Sequence, residues 1–514
     1  MMRSFLRIKW GLFVLMGVIW ILQACQTEEQ LTATMLPTFT TTASPTLTLT
    51  ATSTPTETAT STQTPTVTPS PTIAPSPTAT SVLVSEPQEV ELSGFVHAGR
   101  PHLSGIVRQV DTKHFRIFYT MSGEDAVIVE DQNGNGVPDY VDEVAKALEY
   151  SRTVQIEQFG WSPPPTDFFA GGDERFDVYL EDLDLSLIGY VKPEDFMIGD
   201  NPETVAKEVR SAPSYMVLDN DFTEVLEEDY SLTPLEWMQT TVTHEFNHAL
   251  QSGYDSQEPF DWLWEATATW MELAVHPDII NNDPHLIPSF KSPDTCLLSY
   301  GGDQRLEDQG HWYALWLLLE YITEQTDEGV ILEMWQQARL ADGYEVLDKA
   351  LALQKTTFEE IFQDYGIALL LRNFELQLPY PAVRLEARLD HEQTYQPNDG
   401  VWQFGADFIE IDMDGVIKLS LRGLDHGTVV GLHGLKADIF PLENKTVTID
   451  TTPYHHVYLV VYNLKRAEDI SACRETQYTV QILAGDEPAT PARTIPAPHF
   501  KAPAVEPFTD PNSQ

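Results

Sequence analysis

"TPLEWMQTTVTHEFNHALQSG", residues 233–253, decides how this chain is read. Thr233 as N-cap, Pro234 at the first helical position and Glu236 three residues past the cap predict a helix opened by a capping box. Gly253 is the expected stop, at the C′ position. Within the helix His244 and His248 stand four positions apart, so both imidazoles leave one face. Such a pair offers two neutral nitrogens to Zn²⁺. Glu245 lies about 100° round the helix from His244, near enough to reach a water beside the ion but poorly placed to ligate.

A pattern of five residues recurs by chance, so a third ligand decides the matter. A metzincin arrangement needs a glycine three residues after His248 and a histidine three further on; Gln251 and Tyr254 occupy those positions, which excludes it. The stretch "FDWLWEATATWMEL", 260–273, offers a better candidate on a second helix expected to pack antiparallel to the first. Its Glu265 sits among Trp262, Leu263, Trp264, Ala266 and Ala268. A carboxylate in such surroundings is costly unless paired or bound to a cation. Glu265 is therefore the expected third ligand.

With these residues in place the chain resembles the gluzincin metallopeptidases, and most closely secreted bacterial metalloproteases carrying HEFxHAxQ followed by WxxEAxATWME. "DQNGNGVPDYVDEVAKALE", "RFDVYLEDL" and the "HWYALWLLLEYI" helix extend the likeness over roughly residues 110 to 375, with a β-rich domain behind. The resemblance implies an α+β zincin-like metallopeptidase domain with Zn²⁺ held by His244, His248 and Glu265. It implies Glu245 as general base and Tyr313 as donor to the oxyanion, with His311 and Tyr300 as alternatives; an ordinary packed aromatic is the other reading of Tyr313. Several gluzincins carry an Asp four residues after the ligating Glu to orient the first histidine. Here that residue is Thr269, a weaker partner, and Glu272 one turn further on is the substitute.

The rest of the chain says where such a domain would work. Arg3, Arg7 and Lys9 precede an apolar run, Trp10 to Leu22, which ends in "LQAC". This has the form of a secretory signal with a lipobox, residues 1–25, in which Cys25 becomes lipidated. The expected protein is thus exported and anchored to a bacterial membrane by lipid alone. Residues 26–85, rich in Thr, Pro, Ser and Ala, have too little apolar content to fold and read as a stalk. The metallopeptidase domain is expected over 86–385. Short β-type runs from "DFIEIDM" to "YTVQILAG" predict an all-β sandwich over 386–487. The Pro-rich tail 488–514 is expected to be disordered.

Three further features complete the reading. Outside the cytoplasm Cys296 and Cys473 can pair, joining two distant regions. "DQNGNGVPDYVD" spaces Asp131, Asn133, Asn135, Asp139 and Asp142 as positions 1, 3, 5, 9 and 12 of an EF-hand-like Ca²⁺ loop, with Asp where the bidentate Glu usually stands. A net charge of −48 over 514 residues disfavours nucleic acid as a partner. The expected partner is a protein or peptide substrate, met by a monomer. The alternative is a cell-surface binding lipoprotein with a structural or degenerate zinc site; Glu245 favours the enzyme, because a structural site needs no general base.

Overall fold

The computed structural model describes residues 82–503 apart from 91–98, 184–186, 195, 224–231, 280–282, 301–309, 468 and 471. The expected signal segment with Cys25, the stalk up to residue 81, and residues 504–514 lie outside the described residues.

Six strands form the first sheet: Gln88–Glu89 (β1), Val107–Asp111 (β2), Phe115–Thr120 (β3), Phe176–Glu181 (β4), Gly189–Pro193 (β5) and Ser214–Asp219 (β6), in the order β1-β2-β3-β4-β6-β5. β3, β4 and β6 run parallel, and β5 closes the edge antiparallel to β6. β3 and β6 are buried at every residue because the sheet is covered on both faces. Ile117, Val178, Leu180, Met216 and Leu218 join the core shared with the helices, whereas Phe118, Tyr179, Tyr215 and Val217 pack with Leu103 on the other side. Beneath that second face the buried guanidinium of Arg100 binds Asp167 at 2.7 Å together with Asp177 and Glu194.

A helix, Asp139–Arg152 (α1), crosses from β3 to β4 and continues into a π-helical turn, Thr153–Gln158. Eight more helices follow β6 among the described residues: Pro234–Asp255 (α2), Asp261–Val275 (α3), Asp283–Lys291 (α4), His311–Ala314 (α5), Trp316–Gln325 (α6), Gly329–Ala338 (α7), Tyr344–Leu353 (α8) and Phe358–Leu371 (α9). The stretch from 311, read in sequence as one helix, is thus two, because Leu315 turns to ψ −4°. The Thr233–Glu236 capping box forms as expected. Gly253 does not stop α2, which continues to Asp255. Its role is close approach: a Cβ there would lie 3.2 Å from Pro165.

The remaining strands are Ala387–Leu389 (β7), Gln393–Tyr395 (β8), Ala406–Ile411 (β9), Val416–Arg422 (β10), His426–His433 (β11), Lys436–Pro441 (β12), Thr446–Asp450 (β13), His456–Tyr462 (β14), Thr479–Ala484 (β15) and Arg493–Pro496 (β16). They make a sheet β13-β10-β15-β8 and a sheet β16-β12-β11-β14-β9-β7. The two sheets share a core that includes Ile409, Leu419, Val429, Leu459 and Ile482. The next residues along the same strands, Phe408, Val430 and Val460, point the opposite way into the core of the helical part. The larger sheet is therefore a middle layer, and residues from Val82 onward form one unit. A Cys296–Cys473 disulfide, Cα–Cα 5.9 Å, adds a covalent tie. Part of the expected disordered tail is ordered: β16 pairs with β12, and Ala497 is buried. Its prolines lie where an edge strand tolerates them.

Arg100→Met would leave the carboxylates of Asp167, Asp177 and Glu194 buried without their cation. A loss of about 3–5 kcal/mol is expected at neutral pH. The loss should shrink as pH falls, since protonation neutralises the acids. Urea melts of both proteins at neutral and acidic pH check this.

Candidate metal centre

Capping and packing fix where the two histidines point. α2 runs beneath the first sheet with its apolar residues Met238, Val242, Phe246, Ala249 and Leu250 in the core. α3 returns across it after a short loop, and Ala266, Thr267 and Ala268 are buried. Across this crossing Glu265 Oε2 lies 3.2 Å from His244 Nε2 and 3.5 Å from His248 Nε2. One ligand atom from each of these three residues lies within 4.8 Å of the others.

These separations are long for charge-assisted hydrogen bonds and match those of ligands that share a cation. Charge-assisted N–H···O⁻ contacts close to about 2.7–2.9 Å, as His244 Nδ1 does with Glu272 Oε1 at 2.7 Å. Donors about 2.0–2.1 Å from a tetrahedral zinc lie about 3.3 Å from one another. Two imidazole nitrogens and a carboxylate oxygen are also a donor set that zinc accepts. The three residues therefore fit a divalent transition metal.

The charges in the cluster agree. Burial disfavours an imidazolium at His244, but the carboxylates of Glu265 and Glu272, which accept from its ring nitrogens, outweigh it and hold the pKa well above the usual histidine value. For His248 burial is again outweighed, chiefly by Glu265. Burial would raise Glu265, yet the imidazoles of His248 and His244 pull it far below the usual range. This is a pocket that gathers positive charge. Glu245 is the contrast: burial raises its pKa, and the two imidazoles compensate only in part. It keeps a high proton affinity next to the cluster.

Around these three residues the structure gives each candidate a place. Thr269 Oγ1 is buried without a hydrogen bond and does not serve His244. Glu272, seven residues after Glu265 and so on the same helix face, does. Tyr313 stacks on His244 with ring centroids 5.9 Å apart, and burial first, then Glu265, holds its hydroxyl protonated. Tyr300 stands edge-on to Tyr313 at 6.4 Å. His311, the other proposed donor, is elsewhere. It lines a small cavity with Ser289, Tyr365 and Phe404, because residues two apart on a helix face opposite ways.

Two neighbours escaped the sequence reading. His285, on α4, stacks on Tyr313 at 5.5 Å; no local pattern links it to the motif. Gln251 Oε1 takes His248 Nδ1 at 2.7 Å, and its position three residues after His248 was the available signal.

Elsewhere, in the 131–142 loop, two of the five side chains meet on a third, and the carboxylates of Asp131 and Asp139 accept from the loop's own backbone. Asp142 Oδ2 accepts from Asn133 Nδ2 at 2.8 Å and Asn135 Nδ2 at 2.9 Å, Gly136 N–H donates to Asp131 at 2.9 Å, and Gln132 N–H donates to Asp139 at 3.0 Å. In a second acidic group, Arg210 bridges Asp255 and Asp342, while Glu258 accepts from the Phe260 and Gly343 N–H groups. A cavity of about 630 Å³ lined by Lys113, Arg152, Pro164 and Arg175 contains none of the cluster; it touches α2 at Phe246. Its arginines are already paired, Arg152 with Glu157 and Arg175 with Asp111 and Asp173.

Because the pKa values of both imidazoles are raised, a metal has protons to displace, and affinity for a divalent cation should weaken as pH is lowered. The expected loss is roughly tenfold per pH unit for each proton displaced. Zinc competition titrations at about pH 6 and about pH 8 check it. An affinity that ignores pH would mean the imidazoles are not ligands.

A sequence-family model described as a family of unknown function (DUF6055) matches residues 233–408, a span that contains α2, α3, His285 and Tyr313. No curated protein matches the chain.

Proposed function

We propose that the chain is a zinc-dependent metalloendopeptidase with a zincin-like fold through residue 385, exported and lipid-anchored through Cys25. The observation that carries this reading is the position of Glu265 Oε2, 3.2 and 3.5 Å from the His244 and His248 nitrogens with Glu245 alongside. His244, His248 and Glu265 would hold the ion. When bound, zinc would polarise a carbonyl and bring the pKa of a water down to about 7.

The chain's own groups supply the rest. Glu245 takes a proton from water at its carboxylate and passes it to the leaving amine. Its raised proton affinity suits that exchange. Tyr313, kept protonated, donates to the oxygen that gains negative charge. A peptide is favoured as substrate by β5, whose outer edge has no partner among the described strands. A Cβ on Gly189 would lie 3.2 Å from Glu245 Cγ. An extended peptide pairing with that edge would bring a carbonyl to Glu245. The same proposal places a structural Ca²⁺ in the 131–142 loop, held by Asp131, Asn133, Asn135, Asp139 and Asp142.

Glu245→Gln is expected to lower casein hydrolysis by roughly 10²–10⁴ while leaving the zinc content at one per chain. A chelator should silence the wild type, and zinc should restore it. Activity that persists in Glu245→Gln would refute the assignment of the base. A zinc-loaded wild type that cleaves no protein would favour a surface binding protein instead.

Calcium should raise the melting temperature of the wild type but not of Asp131→Ala. Equal melting of the wild type with and without calcium would eliminate that ion.

A further inference from the structure

Buried behind the metal centre is a chain of side-chain amides that the proposed chemistry does not use. Gln155, Asn247 and Gln251 are each fully buried. Gln155 Nε2 donates to Ser151 Oγ at 2.8 Å and to the Thr243 carbonyl at 3.0 Å. Its Oε1 accepts from Asn247 Nδ2 at 2.9 Å. Asn247 Oδ1 accepts from Gln251 Nε2 at 2.7 Å, and Gln251 Nε2 also donates to the Trp264 carbonyl at 3.2 Å. Gln251 Oε1 then meets His248 Nδ1 at 2.7 Å.

The direction of this chain is fixed from both ends. A backbone carbonyl can only accept. Thr243 therefore forces Gln155 to turn its amide nitrogen toward it and its oxygen toward Asn247. Asn247 must then offer nitrogen to Gln155 and oxygen to Gln251. Independently, the Trp264 carbonyl forces Gln251 to present nitrogen on that side, which leaves its oxygen for His248. The two constraints agree. Reversing any one amide would set donor against donor or acceptor against acceptor in a dry interior, at roughly 1–3 kcal/mol for each group left unpaired.

We propose that Gln155, Asn247 and Gln251 are positioning residues that fix His248 as the Nδ1–H tautomer. An oxygen at Gln251 admits only a proton on Nδ1, so the lone pair is on Nε2, the nitrogen that faces Glu265. His244 reaches the same state by a different route, through the carboxylate of Glu272. The relay begins where α1 opens into the π-helical turn 153–158, a geometry concentrated at functional sites. It thereby ties the second histidine to the first crossover helix. This inference rests on the metal-centre reading for its purpose but not for its geometry.

The test compares Gln251→Met, Gln251→Glu and Gln155→Met with the wild type by zinc competition titration and by melting temperature. Gln251→Met removes the acceptor and should weaken zinc by roughly 10–100-fold. Gln251→Glu keeps an acceptor for Nδ1–H but loses both donors, so its affinity should remain within a few-fold of wild type, about threefold, although it melts lower. Gln155→Met, remote from the imidazole, should weaken zinc by a smaller factor than Gln251→Met. Equal zinc affinity in wild type and Gln251→Met would overturn the proposal, as would equal losses in Gln251→Met and Gln251→Glu. Should the wild type bind no zinc, the proposed function fails while the relay is still decided. Nitrogen-15 shifts of His248 in metal-free protein, held alkaline enough to keep it neutral, should show the proton on Nδ1. A proton on Nε2 would refute the inference.

Discussion

One carboxylate oxygen, Glu265 Oε2, sits between two imidazole nitrogens in a pocket largely shut off from water. Much else follows from keeping that arrangement tolerable. An anion and two bases mostly withdrawn from water are stable together only when their hydrogen-bonding capacity is filled or a cation neutralises them. The outer nitrogens of the imidazoles are accordingly taken up, by Glu272 on one side and Gln251 on the other. The helices that carry these groups are braced by the sheet above, by the wall of α4 to α9 and by the β layers beyond. The burial of α2 along nearly its whole length expresses this.

How far the sequence reveals this depends on whether a feature is local. The capping box at Thr233 and the one-turn spacing of His244 and His248 are written within a single helix, and both could be read directly. Glu265 was legible for a different reason: a lone acid among tryptophans and alanines declares its own cost. Glu272 could be anticipated from helix geometry, because seven residues return to the same face. Strands with period-two alternation, such as Val416–Arg422, were equally plain.

What could not be read depends on contacts between distant parts of the chain. His285 reaches the cluster only because α4 packs against α5, the short helix that carries Tyr313. Nothing near position 155 announces that its amide will meet α2. Gly253 looked like a helix stop because a glycine at a helix end and one at a close packing contact are the same letter. The strand Arg493–Pro496 was missed because proline content argues for disorder unless a neighbouring edge is known to be waiting. The change from helical to β patterning near residue 385 suggested two domains, yet period-two strands with apolar residues on both faces signal a layer covered on each side.

That middle layer has a consequence for how the protein can be divided. Phe408, Val430 and Val460 belong to the helical core, while Ile409, Val429 and Leu459 belong to the outer β core, on the same three strands. Neither half can shed the other without baring an oily face. A disulfide between Cys296 and Cys473 makes the union covalent. The β layers are therefore no passenger that could be exchanged for another module; the helical half and its companion must be made, folded and retired as one piece.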